Sequence, residues 1–161
     1  MLLFGPYAET DPVGQTGWID DRRRSIPDHL KMMLNHLDGE EMFTYVIWRA
    51  PNPEKHFVRR RDIGDTFIQA AGSASALTVE VKQLGEDGKA HLYTVGKPQP
   101  AGDSTVLVPI SRERAVRVFD NELFTADEAA EIFDFFHGAD KVPDSFTLRE
   151  LDLSTDLSEK R

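Results

Sequence analysis

One stretch of this chain admits few folds. From Asn121 to Phe136 it reads NELFTADEAAEIFDFF, an amphipathic helix with a complete start signal. Thr125 stands at the cap with Glu128 three residues on, the spacing at which each side chain satisfies the other's backbone N–H. Asp127 and Glu128 place negative charge in the first turn, where the helix dipole favours it. Ala129, Ile132, Phe133 and Phe136 recur at helical spacing and predict a buried stripe. Asp127, Glu131 and Asp134 fall on the opposite, solvated face, and Gly138 supplies the stop. A helix of this kind needs a sheet or another helix to cover its apolar side.

The strands that follow from the rest of the sequence supply that cover. Ser25 or Asp28 caps an earlier helix running to about His36, with Pro27 tolerated in its first turn. Leu30, Met33, Leu34 and Leu37 form its apolar face, and Gly39 ends it. Met42–Arg49 is aromatic and β-branched, and predicts a strand. Pro51-Asn52-Pro53 makes a turn, Lys55–Arg61 is read as the return strand, and Asp65–Gln69 as a short further one. Leu77–Lys82 and His91–Val95 alternate apolar and polar residues around a hairpin turn at Glu86-Asp87-Gly88-Lys89. Thr105–Ile110, Ala115–Phe119 and Phe146–Leu153 complete the expected strands. The sum predicts an α+β domain: a mostly antiparallel twisted sheet with an N-terminal helix and a C-terminal amphipathic helix packed on it. Residues 1–24 read as an irregular lead-in, 25–153 as a single domain and 154–161 as a charged, frayed tail.

Composition restricts the function classes. Cysteine is absent, which removes disulfides, thiolate nucleophiles and cysteine-ligated zinc. Met1–Phe4 is too short for a signal peptide and lacks a basic flank. No apolar run approaches the roughly 20 residues that span a bilayer. A cytoplasmic protein without membrane attachment is the expectation. The net charge is −9, and residues 113–161 carry 13 acidic against six basic side chains. That imbalance argues against direct nucleic-acid binding, which needs clustered Lys and Arg. It suits a basic protein partner, because complementary fields speed encounter and fix orientation. The competing reading is that acidity serves solubility alone.

Signals for catalysis are weak. His29 and His36 lie seven apart with no acidic ligand placed beside them, and Asp134 and His137 lack the matching second pair of a di-iron bundle. No HExxH run exists. Neither a metal nor a cofactor is therefore expected. The Gly72-Ser73-Ala74-Ser75 cluster has neither nucleophile-elbow nor phosphate-loop spacing. It reads as a tight turn, or as a flexible tip entering a partner's cleft. The basic triplets Arg22–Arg24 and Arg59–Arg61 read as solvated or salt-bridged surface, although either has the chemistry to grip phosphate. Trp18 and Trp48 read as core or rim anchors, Trp48 also as an interface hot spot.

Three segments carry a resemblance. Ala70–Ser73 leading into Leu77–Glu80, then NELFTADEAA at 121–130, then FTLRELDL at 146–153 resemble the first-numbered immunity-protein family of bacterial polymorphic toxin systems over about residues 42–153. The Asn-Glu-x-Phe-Thr-x-x-Glu-Ala-Ala run is the most specific of them, and the first forty residues have no counterpart. The resemblance implies a small α+β protein, not an enzyme, that binds a cognate toxin domain, often of the nucleic-acid deaminase fold. An acidic helix face would then occupy the basic groove of such a toxin. The expected contact surface is Asp120, Glu122, Asp127, Glu131 and Asp134, assisted by Gly72, Ser73 and Ser75, with Trp48 as an anchor. The alternatives are a small hydrolase using exposed carboxylates, or a ligand-binding regulatory domain.

Overall fold

The computed structural model describes residues 5–51 and 57–151, with the backbone alone at 158–160. Its frame is a seven-stranded antiparallel sheet built mostly in chain order. The strands are β1 (Tyr7–Thr10), β2 (Thr16–Trp18), β3 (Thr44–Arg49), β4 (Phe67–Ser73), β5 (Ala76–Leu84), β6 (Ala90–Gly96) and β9 (Thr147–Glu150), in the order β2-β1-β3-β4-β5-β6-β9. A three-stranded sheet holds β7 (Thr105–Pro109), β8 (Arg114–Phe119) and β10 (Ser158–Lys160), in the order β10-β8-β7. Helices α1 (Ile26–Asn35) and α2 (Ala126–Ala139) pack on each other and on one face of the larger sheet. The architecture is α+β.

The period-2 pattern of the strands decides which side chains meet the helices. Tyr45 and Ile47 of β3, Ile68 and Ala70 of β4, Leu77, Val79 and Val81 of β5 and Val95 of β6 point to one face. Leu30, Leu34, Ala129, Ile132, Phe133 and Phe136 close over them. The intervening residues of the first strands face the other way. There Ala8, Val46, Trp48, Ala50 and Val58 form a second core beneath the segment that follows β3. A third, of Val108, Val116 and Val118, belongs to the small sheet.

Both helix starts form as their sequences require. Ser25 Oγ accepts the Asp28 N–H at 3.3 Å. Thr125 Oγ1 accepts the Glu128 N–H at 3.2 Å while Glu128 Oε1 accepts the Thr125 N–H at 2.9 Å. Helical geometry in α2 ends after Phe136: Gly138 takes φ +116° and Asp140 the left-handed conformation. The buried and exposed faces of α2 are those expected, with Phe133 and Phe136 inside and Asp127, Glu131 and Asp134 outside.

Four expectations are corrected. The supposed lead-in of residues 1–24 contains β1 and β2, and β1 is an interior strand between β2 and β3. Its polar members are buried because internal partners satisfy them: Glu9 accepts hydrogen bonds from Tyr45 and His29, and Thr10 shares one with Thr16. The expected return strand at Lys55–Arg61 is not formed where it is described. Phe57–Arg59 is irregular and Arg60–Asp62 is a 3-10 turn held by the Asp62 carboxylate on the Arg59 N–H, while residues 52–56 lie outside the described residues. The strand expected at Asp65–Gln69 runs from Phe67 to Ser73 instead. At the chain end Ser158–Lys160 pairs with β8 and is not a frayed tail, while residues 152–157 and 161 lie outside the described residues.

Candidate binding surface

The outer face of α2 concentrates the features that the fold itself does not use. Asp127, Glu131 and Asp134 are spaced by four and three residues and therefore share one face. Asp127 is engaged by α1, with Asn35 Nδ2 donating to it at 3.2 Å and Lys31 Nζ at 3.8 Å. Glu131 and Asp134 are exposed and have no hydrogen-bond or ion-pair partner among the described residues. Phe135, four residues after Glu131, leaves 44% of its surface exposed beside them. Sequence periodicity gave no reason to single it out, since an aromatic next to a buried stripe reads as more stripe. Two bare carboxylates flanking an exposed ring form a patch of the kind that docks on a basic protein surface.

The structure disperses the remaining candidates. Asp120 is exposed but its carboxylate accepts the Gly102 N–H at 3.0 Å, which ties down the loop after β6. Glu122 is not a surface residue. Its side chain is 4% exposed, and Arg149 grips it through two nitrogens at 2.8 and 2.9 Å. A carboxylate so deeply placed needs a charged partner, and β9 provides it. Trp48 is no rim anchor either: it is fully buried in the second core, and its indole N–H finds no acceptor among the described residues.

Of the Gly72–Ser75 segment, Gly72 and Ser73 end β4 and Ala74-Ser75 form the tight turn into β5. Ala74 donates to the Leu37 carbonyl and accepts from the Ala126 N–H, both at 2.8 Å, so the turn is clamped between the end of α1 and the start of α2. The Ala126 N–H is one of the donors that a helix start leaves unpaired. Gly72 serves packing: at φ +124°, a Cβ there would lie 2.8 Å from Val108 Cγ1 and 2.6 Å from the Ala76 carbonyl. Ser75 is exposed at the turn and Ser73 is half-buried. The turn thus lies at the Asp127 end of α2.

Two other ionisable clusters are closed by their own members. Tyr7 donates to Asp140 and accepts the Gly138 N–H at 2.9 Å, while Arg49 reaches both Asp140 at 2.8 Å and the Tyr7 hydroxyl at 3.1 Å. Burial, with Asp140 beside it, raises the Tyr7 phenol above its usual value. His137 lies tilted against the Tyr7 ring, centroids 4.4 Å apart, and is pushed below the usual imidazole value by burial. At the other end of the sheet His91 is held at Nε2 by Asp87 at 2.8 Å and at Nδ1 by Glu150 at 2.7 Å. Because those carboxylates sit on opposite ring nitrogens, they do not converge on one point. No group of three such residues is placed to hold a metal among the described residues.

Asp87 first, with Glu150, raises His91 above the ordinary imidazole value of 6.5. The folded state therefore binds this proton more tightly than the unfolded chain. The stability it contributes is complete below the unfolded value and is lost as pH rises through the raised one. A histidine titration by NMR is expected to place the His91 midpoint above 6.5. Substituting Asp87 by Asn should return it towards that value, and a midpoint at or below it in the unaltered protein would contradict the geometry.

No helix among the described residues is long and apolar enough to cross a membrane. No family model matches the chain, and no curated protein or solved structure is significantly similar to it. The site must speak for itself.

Proposed function

We propose that this chain is an immunity protein, a cytoplasmic inhibitor that binds a basic toxin domain through the outer face of α2. The observation that carries the reading is the Glu131–Asp134–Phe135 patch, two exposed carboxylates without a partner among the described residues beside a ring that is 44% exposed. Supporting it are the acidic C-terminal third of the chain and the sequence resemblance, whose most specific run forms the start of this same helix. The ring supplies desolvated contact area and the carboxylates supply steering. Asp127 and Ser75 extend the surface towards the helix start, whereas Glu122, Trp48 and Gly72 leave the proposed interface and act in the fold. Inhibition in this scheme is by occlusion of a basic groove, with no catalytic step and no cofactor.

The test starts from the genes on either side of this one: a toxin domain encoded there is the binding partner to purify, and its absence counts against the reading. Co-expression should protect cells, and the purified pair should associate at a rate that falls steeply with salt. Reversing both carboxylates, Glu131→Lys with Asp134→Lys, should slow association by about tenfold or more and flatten the salt dependence. Stability should change by less than about 0.5 kcal/mol, since both side chains are solvated. An unaltered on-rate in the double variant would remove α2 from the interface. Metal-independent turnover of nucleotides, esters or peptides that disappears with one carboxylate would replace an inhibitor with an enzyme.

A further inference from the structure

The chain's other unusual surface lies elsewhere. Arg22, Arg23 and Arg24, in the approach to α1, meet Trp18 of β2 and His29, Met32 and Met33 of α1 around an open cavity of 510 Å³, with Asp20 on the same wall. Pockets for small ligands run from about 300 to 1,000 Å³. Three arginines in succession are unexpected in a protein of net charge −9 unless they balance nearby acids. Only one of them does so. Arg22 is fixed on Asp20 through Nε at 3.1 Å and a terminal nitrogen at 3.0 Å. Arg24 rests on the Met32 sulfur, and neither Arg23 nor Arg24 has an acidic partner among the described residues.

The least exposed polar side chain of this lining is also held in place. His29 turns Nε2 onto the buried Glu9 carboxylate, at 2.6 and 2.9 Å, and Tyr45 holds the same carboxylate at 2.6 Å. That arrangement fixes the imidazole and assigns the Nε2 proton to Glu9. Nδ1 is left without a partner among the described residues. Trp18 and the two methionines supply an apolar wall. Exposed cations, a fixed and half-buried imidazole and an indole in one lining match a ligand with a phosphate and a flat ring.

We propose that this cavity binds a small phosphate monoester carrying a planar group, with Arg23 and Arg24 on the phosphate and Trp18 against the ring. The site stands apart from the α2 surface and does not depend on the toxin-binding reading. Adenosine 5′-monophosphate, adenosine and inorganic phosphate are the probes, titrated calorimetrically into the full chain at low salt. The monophosphate should bind saturably, phosphate more weakly, and adenosine not measurably. Arg23→Ser with Arg24→Ser should weaken the monophosphate by about tenfold or more, the effect of losing hydrogen bonds to a charged group. Arg60→Ser with Arg61→Ser, in the other basic triplet, should leave it unchanged.

In the unaltered protein the Trp18 indole and His29 ring signals should be the ones that shift on titration, a readout independent of whether any variant folds. Absence of saturable binding overturns the proposal. So does equal loss in both double variants, adenosine binding as tightly as its monophosphate, or shifts confined to other residues.

Discussion

Phe133→Ala is expected to destabilise the protein by about 3–5 kcal/mol. The side chain is fully buried at the centre of the principal core, and its ring stacks on Tyr45 with centroids 5.7 Å apart and planes 14° apart. Truncation removes buried apolar area and leaves a void between α2 and β3 that neither backbone can close. Because small domains hold only about 5–15 kcal/mol in total, the variant should be partly unfolded near its working temperature. Glu131→Ala, two residues away on the solvated face, should cost less than about 0.5 kcal/mol. Urea unfolding of both, compared by midpoint at constant slope, measures the difference. A Phe133 variant within 1 kcal/mol of the parent would mean that the helix does not dock as described.

Arg149→Ala is expected to cost about 3 kcal/mol. It leaves the Glu122 carboxylate almost fully buried with, among the described residues, only the Phe119 N–H, at 2.9 Å, to satisfy it. Arg149 itself is about one-third exposed and can reach water, so Glu122→Ala should cost less. Arg149→Lys keeps the charge but loses the paired grip on both oxygens, and should fall between. Combining Arg149→Ala with Glu122→Leu should recover much of the loss, since the buried charge then disappears with its partner. Thermal and urea unfolding across the four variants tests this ordering. Equal costs for the two single alanine substitutions would show that the carboxylate is not stranded.

Both effects bear on how far the sequence alone leads. The helices were legible because their signals are local: a capping side chain, a partner three residues away and an apolar stripe at helical spacing. Strand β5 was legible because the face carrying Glu80 and Lys82 is less deeply buried, which leaves an alternation in the residue types. β3 shows the limit. Tyr45, Val46, Ile47 and Trp48 are all buried because cores lie on both faces of this central strand. An unbroken apolar run cannot say which residues meet a partner, and Trp48 passed for an anchor.

β1 was missed for the opposite reason. Glu9 and Thr10 look like loop residues until His29, Tyr45 and Thr16 arrive from elsewhere to satisfy them. Glu122 was misplaced because its cation stands 27 residues later in the chain, in a strand whose alternation carries no sign of pairing. The candidate surface was half legible. Its carboxylates follow from helical spacing, whereas the exposure of Phe135 depends on how α2 is rotated against the sheet. Of the arginine cavity only the basic triplet was legible, because β2, whose tryptophan lines it, lay in residues read as irregular.

The Tyr7–Arg49–Asp140 knot has a consequence for the order in which the molecule is assembled. Tyr7 and Asp140 are separated by 133 residues, so their contact closes one of the longest loops in the chain. Most of the large sheet grows as a meander between neighbours in sequence, which lets pairing proceed while the chain is still being made. The knot cannot form until the residues after α2 exist. Until then the Arg49 guanidinium and the Tyr7 hydroxyl wait at the edge of the core without their carboxylate. Closure of this contact therefore waits on α2, and a strand made early is locked by a residue made 133 positions later.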